Sequence, residues 1–275
     1  MRRALAMTSV SAFLVLASTA GPSGCSSDSN IAMPGGGGTS GGGHGGGGSS
    51  GSTGGGTAML NCGDPNAAID PTAVIDDMET PDAPTLRASG RSGGWWAGGD
   101  ALSPGASISP DGDAAAESIA GGRCGSKYAM HVTGQGYTQW AVLSVSMGWG
   151  SVDGGAPGLL PNDNQFRTGV TFWARIGDTS SNKVRFAISD KYSRPEGGYC
   201  VEGGSMDVAC YDLFGVDLTQ LGTDWKQYRI PFGGLTQRGF GLPRSKLDSS
   251  SIYTVEFNLN PGTPFDFWVD DIAFY

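Results

Sequence analysis

The sequence is poor in positive charge, in histidine and in glutamate. Lys and Arg together number 17 against 26 Asp and Glu, a formal charge of −9. Nucleic-acid backbones and anionic membrane surfaces are gripped through clustered cations, so neither is an expected partner. Histidine occurs only as His44 and His131. A Ser-His-Asp triad would have to recruit His131. The one nucleophile-like motif, GRSGG around Ser92, is followed by Trp95 and Trp96 and more glycine, not by the helix a nucleophile elbow needs. Glutamate is limited to Glu79, Glu117, Glu196, Glu202 and Glu256. A carboxylate pair for glycoside hydrolysis would have to start from Glu256, which has no evident partner in the sequence. No Cys-x-x-Cys spacing offers a zinc site. The stretch PDGDAAAE, residues 110–117, lacks the alternating ligand set of a calcium loop and reads as a loop. Helical periods are missing too, and ALSPGASIS is broken by Pro104 and Gly105.

The longest apolar stretch lies at the N-terminus. MRRALAMTSVSAFLVLASTAGPSGC opens on two arginines, runs apolar from Ala4 to Ala17 and then turns to small residues. That is an export signal, too short to span a bilayer. Cleavage after Ala20 would release a secreted protein. GPSGCSSDSN resembles instead a bacterial lipoprotein signal, in which Cys25 becomes the lipidated first residue, although Pro22 stands where that pattern prefers Leu. Either route exports the chain, to the outer surface or periplasm if anchored. The membrane would be touched only through the N-terminal lipid, by a protein expected to be a monomer. Residues 1–25 are thus assigned to the signal. Residues 26–57, almost wholly Gly, Ser and Thr, are assigned to a disordered, flexible tether, with His44 incidental to it.

Setting Cys25 aside leaves Cys62, Cys124, Cys200 and Cys210, an even number suited to disulfides in an oxidising compartment. Cys200 and Cys210 enclose a short loop, so local pairing is the simplest choice, leaving Cys62 to Cys124.

From Ala58 to the end, short β-rich runs recur between Gly, Pro, Asn and Asp clusters. KYAMHVTG, TQWAVLSVSM, TGVTFWARI, NKVRFAISD, DWKQYRIPF, SIYTVEFNLN and FDFWVDDIAFY are the clearest. Many short strands punctuated by turns read as one all-β domain over 58–275, a β-sandwich or jelly roll. Alternation sorts the faces. Val170, Phe172, Ala174 and Ile176 point inward, as do Val184, Phe186, Ile188, Val255, Phe257 and Leu259. The opposite positions carry His131, Trp173, Arg175, Arg185, Glu256 and Asn258. Strict alternation through the last run places Phe265, Phe267, Val269, Asp271 and Ala273 on one face. Asp266, Trp268, Asp270, Ile272 and Phe274 fall on the other. Asp270 and Asp271 then need partners, since an unpaired buried charge is expensive.

The order IDDMET, RSGGWWAGGD, SKYAMHVTG, FRTGVTFWARIG, VRFAISD, TDWKQYRIPFGGL and FDFWVDDIAFY resembles a β-jelly-roll carbohydrate-binding module. The likeness is to family 11 and related galactose-binding-like sandwiches, including the complex I intermediate-associated protein 30 type, over roughly residues 69–275. The resemblance implies a structural calcium ion between the first and last strands, held by Asp76, Asp77 and Glu79 with Asp270 and Asp271. The alternative is that these carboxylates pair with arginine side chains or backbone amides at strand ends.

The resemblance also implies a polysaccharide or oligosaccharide ligand in a cleft on one sheet face. Sugar rings stack apolar C–H faces on Trp or Tyr while their hydroxyls take polar side chains. Trp173, Arg175, Arg185, His131, Glu256 and Asn258 offer that mixture on strands. Trp95, Trp96, Tyr192 and Tyr199 are loop-borne candidates at the rim. For Arg175 and Arg185, pairing with Glu256 is the structural alternative, and Trp173 could equally be an aromatic covered by a loop. The leading expectation is a non-catalytic, exported carbohydrate-binding protein. A protein–protein adhesion or scaffold module and a small glycan-active hydrolase are the alternatives.

Overall fold

The structure, a computed structural model, describes residues 70–81, 90–100, 102–151 and 154–275. The signal, the tether, Cys25 and Cys62 lie outside those residues. All described residues belong to one compact unit, Gly56–Tyr275.

The alternating runs become the strands of two facing antiparallel sheets. One sheet runs in the order β12 (Phe214–Asp217), β11 (Val184–Asp190), β14 (Ile252–Leu259), β7 (Ala141–Ser146), β2 (Trp95–Gly99) and β4 (Gly112–Ala114). The other runs β13 (Lys226–Pro231), β10 (Gly169–Ile176), β15 (Phe265–Phe274), β6 (Ser126–Gln135) and β3 (Ser107–Ser109). In that second sheet β1 (Val74–Asp76) also pairs with β15, and β5 (Glu117–Arg123) with β6. A separate ribbon joins β8 (Gly148–Gly150) to β9 (Gly158–Leu160). Among the described residues no α-helix occurs and no helix is long and apolar enough to cross a membrane.

The core fills the space between the sheets with the inward side chains that alternation marks. Phe172 of β10 stacks on Phe186 of β11 with ring centroids 5.1 Å apart and meets Phe257 of β14 edge-on at 5.1 Å. Phe267 of β15 closes on Phe257 at 5.1 Å. These rings join the sheets, and each buried Phe contributes about 1.5–3 kcal/mol from its area alone.

Two features depart from the sequence expectation. First, β10 and β11 follow one another in the chain but lie in different sheets. Arg175 and Arg185 therefore face opposite sides of the sandwich and are not neighbours. Second, β15 does not alternate throughout. Its register against β10 passes from Thr171↔Ala273 to Trp173↔Asp270, leaving Asp271 as an extra residue at φ +49°. This is a β-bulge, and it reverses the faces beyond it. Phe265, Phe267 and Val269 are core before the bulge, and Ile272 and Phe274 are core after it.

Candidate functional site

The bulge also explains the adjacent carboxylates. Arg123, at the end of β5, donates from Nε to Asp270 Oδ2 at 2.7 Å and from Nη2 to Asp271 Oδ2. The guanidinium is itself buried and packs 4.8 Å from the Trp173 ring. Burial pushes the Asp270 carboxyl up to about 6 and raises Asp271 as well, with Arg123 opposing both shifts. Asp76 accepts from Trp95 Nε1 at 2.7 Å and from the Met78 backbone at 2.9 Å. Glu79 accepts from Ser126 Oγ and from the backbone N–H groups of Lys127 and Tyr128. Asp77 accepts from Glu79 N at 3.1 Å. Among the described residues no group of three or more His, Cys, Asp or Glu is placed to hold a metal ion. Each of the five carboxylates accepts from at least one N–H or O–H donor. The cation balancing Asp270 and Asp271 is a guanidinium.

The outer face of the seven-stranded sheet holds Trp173, Arg175 and His131. Trp173 is only 5% exposed. The Arg175 guanidinium lies over both Trp225 and Trp268, at 5.3 and 4.6 Å, and His131 stacks on Trp268 at 3.6 Å. His131 further bridges Glu117 and Asp266, each at 2.9 Å. Here cations and rings cover one another's faces, leaving little aromatic surface for a sugar.

The outer face of the six-stranded sheet is different. The register sets Gly215, Ala187, Glu256, Ser144, Trp96 and Asp113 in one row across all six strands. Beside it run Asp217, Arg185, Asn258, Val142 and Gly98. Gly215, Ala187 and Ser144 are small, which leaves room over the first row. A cleft of about 640 Å³ lies over β2, β7 and the start of β14, lined by Trp96, Ser144, Ser146, Trp149, Arg194 and Glu196 among others. Trp96 is 41% exposed and Trp149 is 57% exposed. A Cβ at Gly98 would overlap the Trp96 ring, so the indole lies flat over the glycine two residues along its own strand. Trp95, expected at the rim, instead points inward and is 2% exposed, its indole N–H satisfied by Asp76. The difference follows from β2 being a strand, whose adjacent tryptophans must face opposite ways.

Glu256 is buried in the middle of the row. Thr254 Oγ1 donates to it at 2.7 Å, and Arg194 Nη1 lies 3.8 Å away. Burial raises its carboxyl, against the pull of Arg194 and Thr254. Arg194 Nε also lies 3.6 Å from Glu196 but makes no hydrogen bond, so the guanidinium sits loosely between the two carboxylates. Arg185 and Asn258 lie further along the same face, in a second cleft. Of the strand-borne candidates, Arg185, Glu256 and Asn258 thus share a sheet with Trp96, while Trp173, Arg175 and His131 are on the other.

Tyr192 and Tyr199 belong to the loop after β11, with ring centroids 4.6 Å apart. Arg244 covers Tyr192 at 3.9 Å, whereas Tyr199 is exposed. The Cys200–Cys210 disulfide closes this loop with Cα atoms 5.0 Å apart. Cys124 is also disulfide-bonded, and Cys62 lies outside the described residues.

Trp149, Trp140, Arg194 and Glu196 were not singled out in the sequence. They lie in short or irregular segments, where no periodicity marks a face.

The sequence matches the family described as carbohydrate binding domain 30 over residues 85–275. A crystal structure of a family 30 carbohydrate-binding module is similar at 15% identity, over 74% of this chain and 97% of that one, with a TM-score of 0.47. A family 11 module from Clostridium thermocellum, solved in complex with a β-1,3-1,4-mixed-linked tetrasaccharide, is similar at 18% identity over 74% and 94%, with a TM-score of 0.46. The family 30 module of a cellulosomal cellulase of Clostridium thermocellum is similar at 16% identity over 74% and 96%, with a TM-score of 0.44. No curated protein matches. With the family matched across most of its length, the chain belongs to the carbohydrate binding domain 30 family.

Proposed function

We propose that this chain is an exported, non-catalytic polysaccharide-binding protein that recognises its ligand on the outer face of the six-stranded sheet. The observation that carries this reading is the platform in the 640 Å³ cleft, where Trp96 lies flat over Gly98 with Trp149 nearby. A flat indole with an open face stacks on the apolar side of a sugar ring. Ser144, Ser146, Asp113 and Glu196 supply hydrogen-bonding groups for the hydroxyls around it.

A binding role is favoured over hydrolysis by the state of the carboxylates. Glu256 is buried and engaged by Thr254, and Arg194 lies between it and Glu196. Glu256, the strand-borne carboxylate on this face, is therefore not placed to act on a glycosidic oxygen. The proposed binding cleft is lined by none of the five carboxylates expected to hold calcium, so a structural ion at those residues would be separate from the ligand site. Export, and anchoring through Cys25 on a glycine-rich tether, complete the proposal: the tether would let the domain search a polysaccharide surface at some distance from the membrane.

The test is a glycan array probed with the folded protein, followed by a reducing-sugar assay on whatever it retains. Retention without sugar release is expected. Sugar release would favour a hydrolase, and a blank array would favour a protein-interaction module.

A further inference from the structure

The same sheet face carries a second cleft, of about 680 Å³, across β11, β12 and the end of β14. Its chemistry differs from the first. Lys183, Arg185 and Arg238 line it against a single carboxylate, Asp217, and amides come from Gln139, Asn182, Gln220, Asn258 and Asn260. Trp140, 45% exposed, stands at its edge. Three cations gathered around one cavity are unusual in a chain of charge −9.

Among the described residues, only Arg185 of the three cations is engaged within the protein. Arg185 Nη2 donates to the Thr236 carbonyl at 2.6 Å, and its Nη1 is a loose 3.6 Å from the exposed Asp217. Burial and the nearby Arg238 both press on the Arg185 guanidinium, lowering its proton affinity from the usual value. Lys183 and Arg238 use their backbone N–H groups, toward Ser181 and Asp212, but among the described residues their charged ends have no partner. Arg238 is also held in place. The Asp212 carboxylate accepts from the backbone N–H groups of Arg238, Gly239, Phe240 and Gly241, at 2.8 to 3.2 Å. Like charges lining one cavity favour an anion between them.

Thr254 lines the first cleft and Asn258 the second, on the same face of β14. They are four positions apart along the strand, about 13 Å. One extended chain can therefore reach both.

We infer that the second cleft is a subsite for an anionic substituent, a uronate carboxylate or sulfate ester, on the polysaccharide that stacks on Trp96. The inference rests on the proposed binding function and adds the ligand's charge class to it. Lys183, Arg185 and Arg238 hold the anion, and Trp140 and the amides hold the ring that bears it.

The experiment compares retention of the full chain on an immobilised neutral β-glucan, a polyuronate and a sulfated galactan, with Trp96→Ala and the double variant Lys183→Gln/Arg238→Gln. Both residues of the double variant are exposed and unpartnered, so it folds. Wild type should bind one anionic polymer more tightly than the neutral one, and more weakly as salt rises. The double variant should lose roughly tenfold on that polymer, the value of about one charged hydrogen bond, and little on the neutral one. The preferred polymer names the anion. Equal binding to neutral and anionic polymers, or a double variant unchanged on the anionic ones, overturns the inference. Loss of all retention in Trp96→Ala would then leave the binding function standing alone. No retention of wild type on any polymer overturns both.

Discussion

The indole of Trp96 lies flat across Gly98, two residues further along the same face of β2. Any side chain at position 98 must lift the ring, because its Cβ would meet the far end of the indole. The backbone has room to stay as it is, since Trp96 is partly exposed and can swing outward. Gly98→Ala should therefore keep the fold and weaken glycan binding by about 1–2 kcal/mol, a factor of roughly 10. Titration calorimetry with a thermal melt on the same sample checks both halves.

Arg123 bridges Asp270 and Asp271 from a buried position. Removing one partner of such a group leaves uncompensated charge, so Arg123→Met should cost about 3–5 kcal/mol in urea unfolding. Adding Asp270→Asn to that variant should recover part of the loss. A chelator should leave the wild-type transition unmoved; a lower midpoint with chelator would restore calcium to the strand ends.

Burial places the Asp270 carboxyl at about 6 in the folded protein, above its ordinary 3.8. The folded state then holds this proton more tightly than the unfolded chain does. The resulting stabilisation is full below pH 4 and is lost as pH rises to about 6. Asp270→Asn lacks this dependence. Wild-type stability minus that of the variant should thus fall between pH 4 and 6, by up to about 3 kcal/mol, and then level off. A difference that grows with pH would show the opposite shift.

Asp212 is buried and accepts four backbone N–H groups from the turn that carries Arg238. Asp212→Ala should cost on the order of 3 kcal/mol, since hydrogen bonds to a charged acceptor are the stronger kind. Hydrogen exchange should speed up at residues 238–241 ahead of the core strands.

The sandwich was legible because its central strands alternate cleanly, as in GVTFWARI and IYTVEFNL. The local disulfide was legible from spacing alone. Strands such as WWAGG and GDA were not, because glycine and aspartate carry no strand signal. The bulge at Asp271 was hidden for a related reason: an inserted residue breaks the period without changing composition. The candidate site suffered most. Periodicity says that Trp173 and Arg185 both face outward, but not that β10 and β11 lie in different sheets. Arg123 escaped notice because its partners are 147 and 148 residues away.

On the proposed function, the glycan is held on the six-stranded sheet, on Trp96, and not on the cation–aromatic stack opposite. The direct measurement is the affinity of Trp96→Ala and His131→Ala for a glycan that the wild type retains. Trp96→Ala should lose about 2 kcal/mol, a factor of roughly 30, with His131→Ala unchanged. Full affinity in Trp96→Ala together with loss in His131→Ala would place the ligand on the seven-stranded sheet and contradict the account.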